Sequence, residues 1–148
     1  MEPQDAPIPQ FRVDGYLPEG LYRVTEADVT FRFGASTRRR RRLILRVRRW
    51  IALGRRIGAK RLLINGSFVT AKAEPHDIDA VMLLPADCAQ QVTQGVEAAL
   101  ELEEMLLTHR PEEIFAAEDE TDWNDWVAFF SLTREADGRR KGLVEIAL

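Results

Sequence analysis

Two short apolar runs constrain this chain more than any other feature. Leu62-Leu63-Ile64 and Ala80-Val81-Met82-Leu83-Leu84 are too short for helices of ordinary length and read as buried strands. Each meets polar chemistry at one end. The first stops at Asn65-Gly66-Ser67, where small residues let the backbone approach a ligand and present a hydroxyl and free N–H groups. The second is entered through Asp77-Ile78-Asp79. Read as part of the strand, this tripeptide turns both aspartates to one side and Ile78 into the core. Two carboxylates so placed repel each other unless a cation lies between them. Mg²⁺ suits that position, because it takes hard oxygen ligands and commonly uses one or two carboxylates together with substrate phosphates.

The remaining segments supply a frame of helices and further strands. Residues 1–20, rich in proline, are expected to form an extended arm lying over a single domain of residues 21–148. Thr25-Glu26-Ala27-Asp28 has the form of a helix start, with Thr25 capping and Asp28 answering it, and that helix should end near Gly34. Ser36 or Thr37 then caps a longer helix whose apolar face is Leu43, Ile44, Val47, Trp50, Ile51, Gly54 and Ile57, closed by Gly58. A helix is expected from about Ala89 to Thr108, with Asp87 as its cap and Pro111 preventing continuation. Glu113 to Ala117 reads as a short strand. A turn at Asp137-Gly138 between Phe129 to Arg134 and Gly142 to Leu148 suggests a terminal hairpin. Together these predict an α/β (α+β) fold, a small mixed sheet flanked by helices.

Charge is distributed unevenly. Between Arg38 and Arg61 the chain has twelve arginines and lysines and no acid; between Glu97 and Asp125 it has eleven acids and a single Arg or Lys, Arg110. The arginines of the long helix, Arg38 to Arg42, Arg46, Arg48, Arg49, Arg55 and Arg56, fall opposite its apolar face. They read equally as a solvated surface partly neutralised by the acidic helix or as a footprint for nucleic-acid phosphates. No aromatic residues are interleaved to stack bases. With one cysteine, Cys88, and two histidines there is neither an internal disulfide nor a zinc-ligand set. No apolar run approaches a membrane span, and MEPQDAPIPQ lacks a basic start and an apolar core, so no membrane association and a cytoplasmic location are expected.

Gly66-Ser67, nine intervening residues and then Asp77-Ile78-Asp79 resemble the signature of the polymerase-beta-like nucleotidyltransferases, in particular the small single-domain members. Phe11 to Gly34, GSFVTAKAEPHDID and the closing Lys141-Gly142 extend the resemblance over most of the chain, to a bacterial family of nucleotidyltransferase-like proteins of about this length. The resemblance implies the polymerase-beta-like fold. It implies a Gly-Ser turn that opens a short helix and holds the triphosphate, with aspartates that bind two Mg²⁺ ions, Mn²⁺ being the alternative. Nucleotide contacts would come from Gly66, Ser67, Thr70 and Lys72. Lys72 reads at least as readily as a solvent-exposed loop lysine. His76 should shape the turn.

The same resemblance asks for a third carboxylate on a neighbouring strand, completing a catalytic and metal-binding set with Asp77 and Asp79. Glu113 is the first choice because it begins the candidate strand; Glu118, Asp119 and Glu145 are the alternatives. The implied activity is transfer of a nucleotidyl group from an NTP to an acceptor that is RNA, a protein or a small molecule, in one setting within a toxin–antitoxin pair. The alternative is a catalytically inactive nucleotidyltransferase-fold module that binds a cognate toxin or antitoxin protein.

Overall fold

The computed structural model describes residues 1–5, 7–108 and 113–148. Among them, six strands form one mixed sheet: β1 (Pro3–Gln4), β2 (Leu21–Val24), β3 (Arg61–Asn65), β4 (Asp79–Leu83), β5 (Glu113–Ala117) and β6 (Leu143–Ile146). Their spatial order is β1-β2-β6-β3-β4-β5. β3 runs antiparallel to both β4 and β6, whereas β4 and β5 are parallel, as are β2 and β6. Helices α1 (Glu26–Phe33), α2 (Arg38–Ile57), α3 (Cys88–Thr93) and α4 (Glu97–Thr108) contribute to one core, and α5 (Glu120–Phe130) to a second. The chain is therefore an α+β protein with a mixed sheet flanked by helices.

Alternation along the strands makes the two cores. Leu62, Ile64, Ala80, Met82, Ile114, Val144 and Ile146 pack beneath α1 to α4, around the fully buried Trp50. Leu63, Val81, Leu83, Ala117 and Leu143 face the other way, onto Trp123 and Val127 of α5. Burying one such large apolar side chain contributes roughly 1.5–3 kcal/mol, so each face is held by several such side chains. At one end of the second face the apolar rows give way to a polar one. Asn65 is paired with Asp79, and Asp79 with Glu113, so three adjacent strands present three polar side chains side by side.

Local signals shape the helices. Thr25 Oγ1 accepts from the Asp28 N–H and Asp28 Oδ2 from the Thr25 N–H, each at 3.1 Å, a reciprocal cap at the start of α1. Thr37, rather than Ser36, caps α2, and Gly58 closes it. The helix expected from Ala89 to Thr108 is two helices. Gly95, with φ +77°, turns the chain between them into a conformation that side-chain-bearing residues adopt only at a cost. Asp87 stands before α3 without capping it; its Oδ1 accepts instead from Gln91 Nε2. The stop expected at Pro111 falls on 109–112, outside the described residues.

Two other expectations change. The terminal hairpin is absent among the described residues: Phe129 and Phe130 belong to α5, one isolated bridge joins Leu132 to Arg140, and β6 inserts between β2 and β3. The central place in the sheet supplies β6 with partners on both sides, which outweighs a local two-stranded pairing. The arm is not simply extended either. Pro3–Gln4 adds an edge strand to β2, and Gly15 accepts from the Ala71 N–H through its carbonyl. No helix among the described residues is long and apolar enough to cross a membrane.

Candidate functional site

The connection from β3 to β4 builds the site. Gly66 leaves β3 with φ +92°, and a Cβ there would lie 2.9 Å from the Asp77 carbonyl oxygen and 3.0 Å from the Ile78 Cα. Only glycine tolerates both the conformation and the approach. A single 3-10 turn, Ser67–Val69, follows. Ser67 Oγ donates to Asp77 Oδ1 (2.6 Å) and accepts from the N–H groups of His76 (2.9 Å) and Asp77 (3.1 Å). The Ser67 N–H also donates to Asp77 Oδ1 (3.0 Å), and the Phe68 N–H to the Asp77 carbonyl (3.2 Å).

These bonds correct the reading of Asp77-Ile78-Asp79 as one strand. β4 begins at Asp79; Asp77 lies before it, tied to the turn, while Ile78 is buried as expected. The hydrogen bonds between Asp77 and the Ser67-Phe68 turn outweigh the ladder bonds that Asp77 would gain in the strand. They also correct the picture of open donors: the Ser67 hydroxyl and N–H are committed to Asp77. Thr70 Oγ1 likewise closes the turn, donating to the Ser67 carbonyl (2.6 Å) and accepting from the Lys72 N–H (3.2 Å). The Lys72 side chain is exposed at the cleft.

The loop is held from behind by the arginine helix, which sequence reasoning placed in solvent. Arg40 is buried, 4% exposed, and its guanidinium donates to the carbonyls of Phe33 (3.1 Å), Phe68 (2.6 Å), Thr70 (2.7 Å) and Lys72 (2.6 Å). Arg39 donates to the carbonyls of Pro75 and His76, each at 2.9 Å. A planar fork of donors matches several carbonyls at once, which a lysine in the same place would not do. Farther along, Arg48 (3.3 Å) and Arg55 (3.1 Å) pair with Glu26, and Arg49 pairs with Glu101. Much of the supposed phosphate footprint is thus engaged within the protein. A signal for Arg40 was present: it lies three and seven residues before Leu43 and Val47, on the apolar face.

The alternatives for a third carboxylate separate by register. Glu113 stands beside Asp79, whereas Glu118 and Asp119 follow Ala117, paired with Leu83 at the other end of β4. Asp119 caps α5, accepting from the Asp122 N–H at 2.8 Å. Glu145 is buried in an ion pair with Arg61 (2.6 Å), which also covers the Trp123 ring, and with Arg23 (3.4 Å).

Electrostatics mark the polar row. Burial, a hydrogen bond shared with Glu113 and the charges of Asp77 and Glu113 push the Asp79 carboxyl up to about 7. Asp77 behaves oppositely. Desolvation by burial would raise it, but the hydrogen bonds from Ser67 and the charge of Lys141 together hold it below the usual carboxylate value. Burial pulls the Lys141 ammonium down, only partly offset by Asp77 and Asp79.

Asp79, Asp77 and Glu113 carry hard oxygen ligand atoms, and the buried Asn65 Oδ1 beside Asp79 has no hydrogen-bond partner among the described residues. Carboxylate and amide oxygens of this kind are ligands that a divalent cation takes. Among the described residues, however, no three His, Cys, Asp or Glu side chains are already gathered into a ligand set.

Asn65, Asp77 and Asp79 line a cleft of about 930 Å³. Gly66, Ser67, Thr70, Lys72, Asp77 and Asp79 all border it; Glu113 sits at the end of the row beyond Asp79. Sequence reasoning missed other walls: Tyr16 from the arm, Asn65 as an acceptor, Phe129 near the end of α5, Leu132 and Arg134 after it, and Lys141. Phe129 is 61% exposed there, an apolar surface adjoining the polar end. No curated protein and no solved structure matches the chain. A family model matches residues 9–147, and the chain belongs to that family, described as a family of unknown function, DUF6932.

Proposed function

We propose that the cleft is the nucleotide site of a metal-dependent nucleotidyltransferase. The observation that carries this reading is the placement of Asp77 and Asp79 beside the Gly66-Ser67 turn in a cleft of nucleotide size, with Glu113 paired to Asp79 on the neighbouring strand. Asp77, Asp79 and Glu113 would hold Mg²⁺, or Mn²⁺, whose charge would offset that developing on the phosphates.

In the reaction, the acceptor hydroxyl oxygen bonds to the α-phosphorus, the bond from that phosphorus to the bridging oxygen breaks, and pyrophosphate leaves. Glu113, the outermost carboxylate, takes the hydroxyl proton. The Ser67 hydroxyl and N–H hold phosphate oxygens once Asp77 Oδ1 swings away from them. Thr70 keeps the turn closed and Lys72 adds positive charge at its mouth. The acceptor class, RNA, protein or small molecule, is left to experiment: α-labelled NTP should transfer label to one of them, with release of pyrophosphate.

A second reading is favoured by one observation, the commitment of the Ser67 donors to Asp77. A module that keeps this turn closed would bind a partner, such as a cognate toxin or antitoxin protein, without catalysis. Absence of label transfer to any acceptor class, with stable complex formation by such a partner, would favour it.

A further inference from the structure

Lys141 stands apart from the cations engaged on the arginine helix. Its N–H donates to the Ser131 carbonyl (2.9 Å), and the Gly142 N–H to the Leu17 carbonyl (2.9 Å). Gly142 also lies so close to the Pro18 carbonyl that a Cβ would collide with it. Position 141 is therefore pinned between the exit of α5 and the start of β6. From there the side chain enters the cleft, half-buried, with Nζ 5.8 Å from the centroid of the Tyr16 ring. Asp77 and Asp79 act on it through space, yet among the described residues no carboxylate oxygen comes within 4.0 Å of Nζ.

A half-buried ammonium costs desolvation that an aromatic face repays only in part. The missing compensation is an anion. Asp77 and Asp79 border the same cleft as the ammonium without pairing with it, so a ligand in the cleft can reach both. That ligand must satisfy a cation at one point and approach a row of acceptors at another. A polyphosphate chain does so: one oxygen bonds the ammonium, while others share a divalent cation with the carboxylates.

We propose that Lys141 is a phosphate-binding residue of this cleft, its ammonium taking an oxygen of the polyphosphate of a nucleotide. The proposal rests on the nucleotide reading and adds to it the residue that grips the leaving phosphates. Lys60, exposed at the end of β3 opposite the Gly66-Ser67 turn and outside the cleft, serves as the control cation.

The test is calorimetric titration of inorganic tripolyphosphate and of NTP, both with Mg²⁺, into wild type, Lys141→Met, Lys141→Arg and Lys60→Met. Losing a charge-assisted bond to phosphate should weaken both ligands in Lys141→Met by about tenfold or more. Lys141→Arg should recover most of that loss, and Lys60→Met should change binding less than about threefold. Circular dichroism melts check that each variant folds, and Lys141→Gln, with similar stem volume, replaces Lys141→Met if the latter does not. Tripolyphosphate binding by the folded neutral variant at wild-type strength, alongside NTP binding by wild type, overturns the role of Lys141 and leaves the nucleotide reading in place. If wild type binds neither ligand, both fall together.

Discussion

Asp79 and Glu113 occupy directly paired positions on the parallel strands β4 and β5, at the end of the sheet that also carries the Gly66-Ser67 turn. Burial together with the neighbouring Glu113 and Asp77 raises the Asp79 carboxyl to about 7, because like charges meet there. Removing one charge by Glu113→Gln should leave the metal-free protein as stable as wild type or slightly more stable. Label transfer from α-labelled NTP should be lost. Full transfer by the variant would exclude Glu113 as the proton acceptor.

Asp79 gives stability a defined pH dependence. Its folded pKa, about 7, exceeds the ordinary value of 3.8, so between these limits the folded state holds a proton that the unfolded state has released. The Asp79 contribution therefore favours folding at low pH and is lost as pH rises toward 7. Asp79→Asn should equal wild type in stability near pH 4 and exceed it at pH 8. Water in the cleft screens the repulsion, so the gain is on the order of 1 kcal/mol. Metal-free urea denaturation at both pH values checks it; a gain confined to acid pH would contradict the assignment.

Arg40 should matter to the fold rather than to a nucleic acid. Arg40→Met strips donors from four backbone carbonyls and should cost about 3 kcal/mol or more, seen as a lower midpoint in chemical denaturation. Arg42→Ala, at an exposed position of the same run, should stay within about 0.5 kcal/mol of wild type. Similar costs for the two would contradict the clamp.

What the sequence made legible here was local chemistry. Thr25 with Asp28, Thr37, Gly58 and the strand from Glu113 were readable because each depends on neighbours in the chain. Glu113 beside Asp79 was readable as soon as both strands were placed. Asp77 was misplaced because period-two alternation says nothing about a competing partner ten residues back, Ser67. The burial of Arg40 was hidden by five consecutive arginines, although its helical phase marked it. Tyr16 and Lys141 reach the cleft from opposite ends of the chain, a juxtaposition only the tertiary fold creates.

The arginine helix should bind RNA weakly, because Glu26 and Glu101 already pair with Arg48, Arg55 and Arg49. Glu26→Gln combined with Glu101→Gln should raise affinity for single-stranded RNA. It should also steepen the dependence of log K on log salt by about 0.7 for each further phosphate that the freed arginines neutralise. An unchanged slope would mean that these arginines do not reach phosphates even when released.

Asp77 and Asp79 are central to the proposed function, as the groups that would bind metal-bound nucleotide. Calorimetry with Mg²⁺ and each of the common NTPs, on wild type, Asp77→Asn and Asp79→Asn, measures this. At least one NTP should bind wild type, and each substitution should weaken it by about tenfold or more. Equal NTP affinity in wild type and both variants, with metal present, would contradict the account.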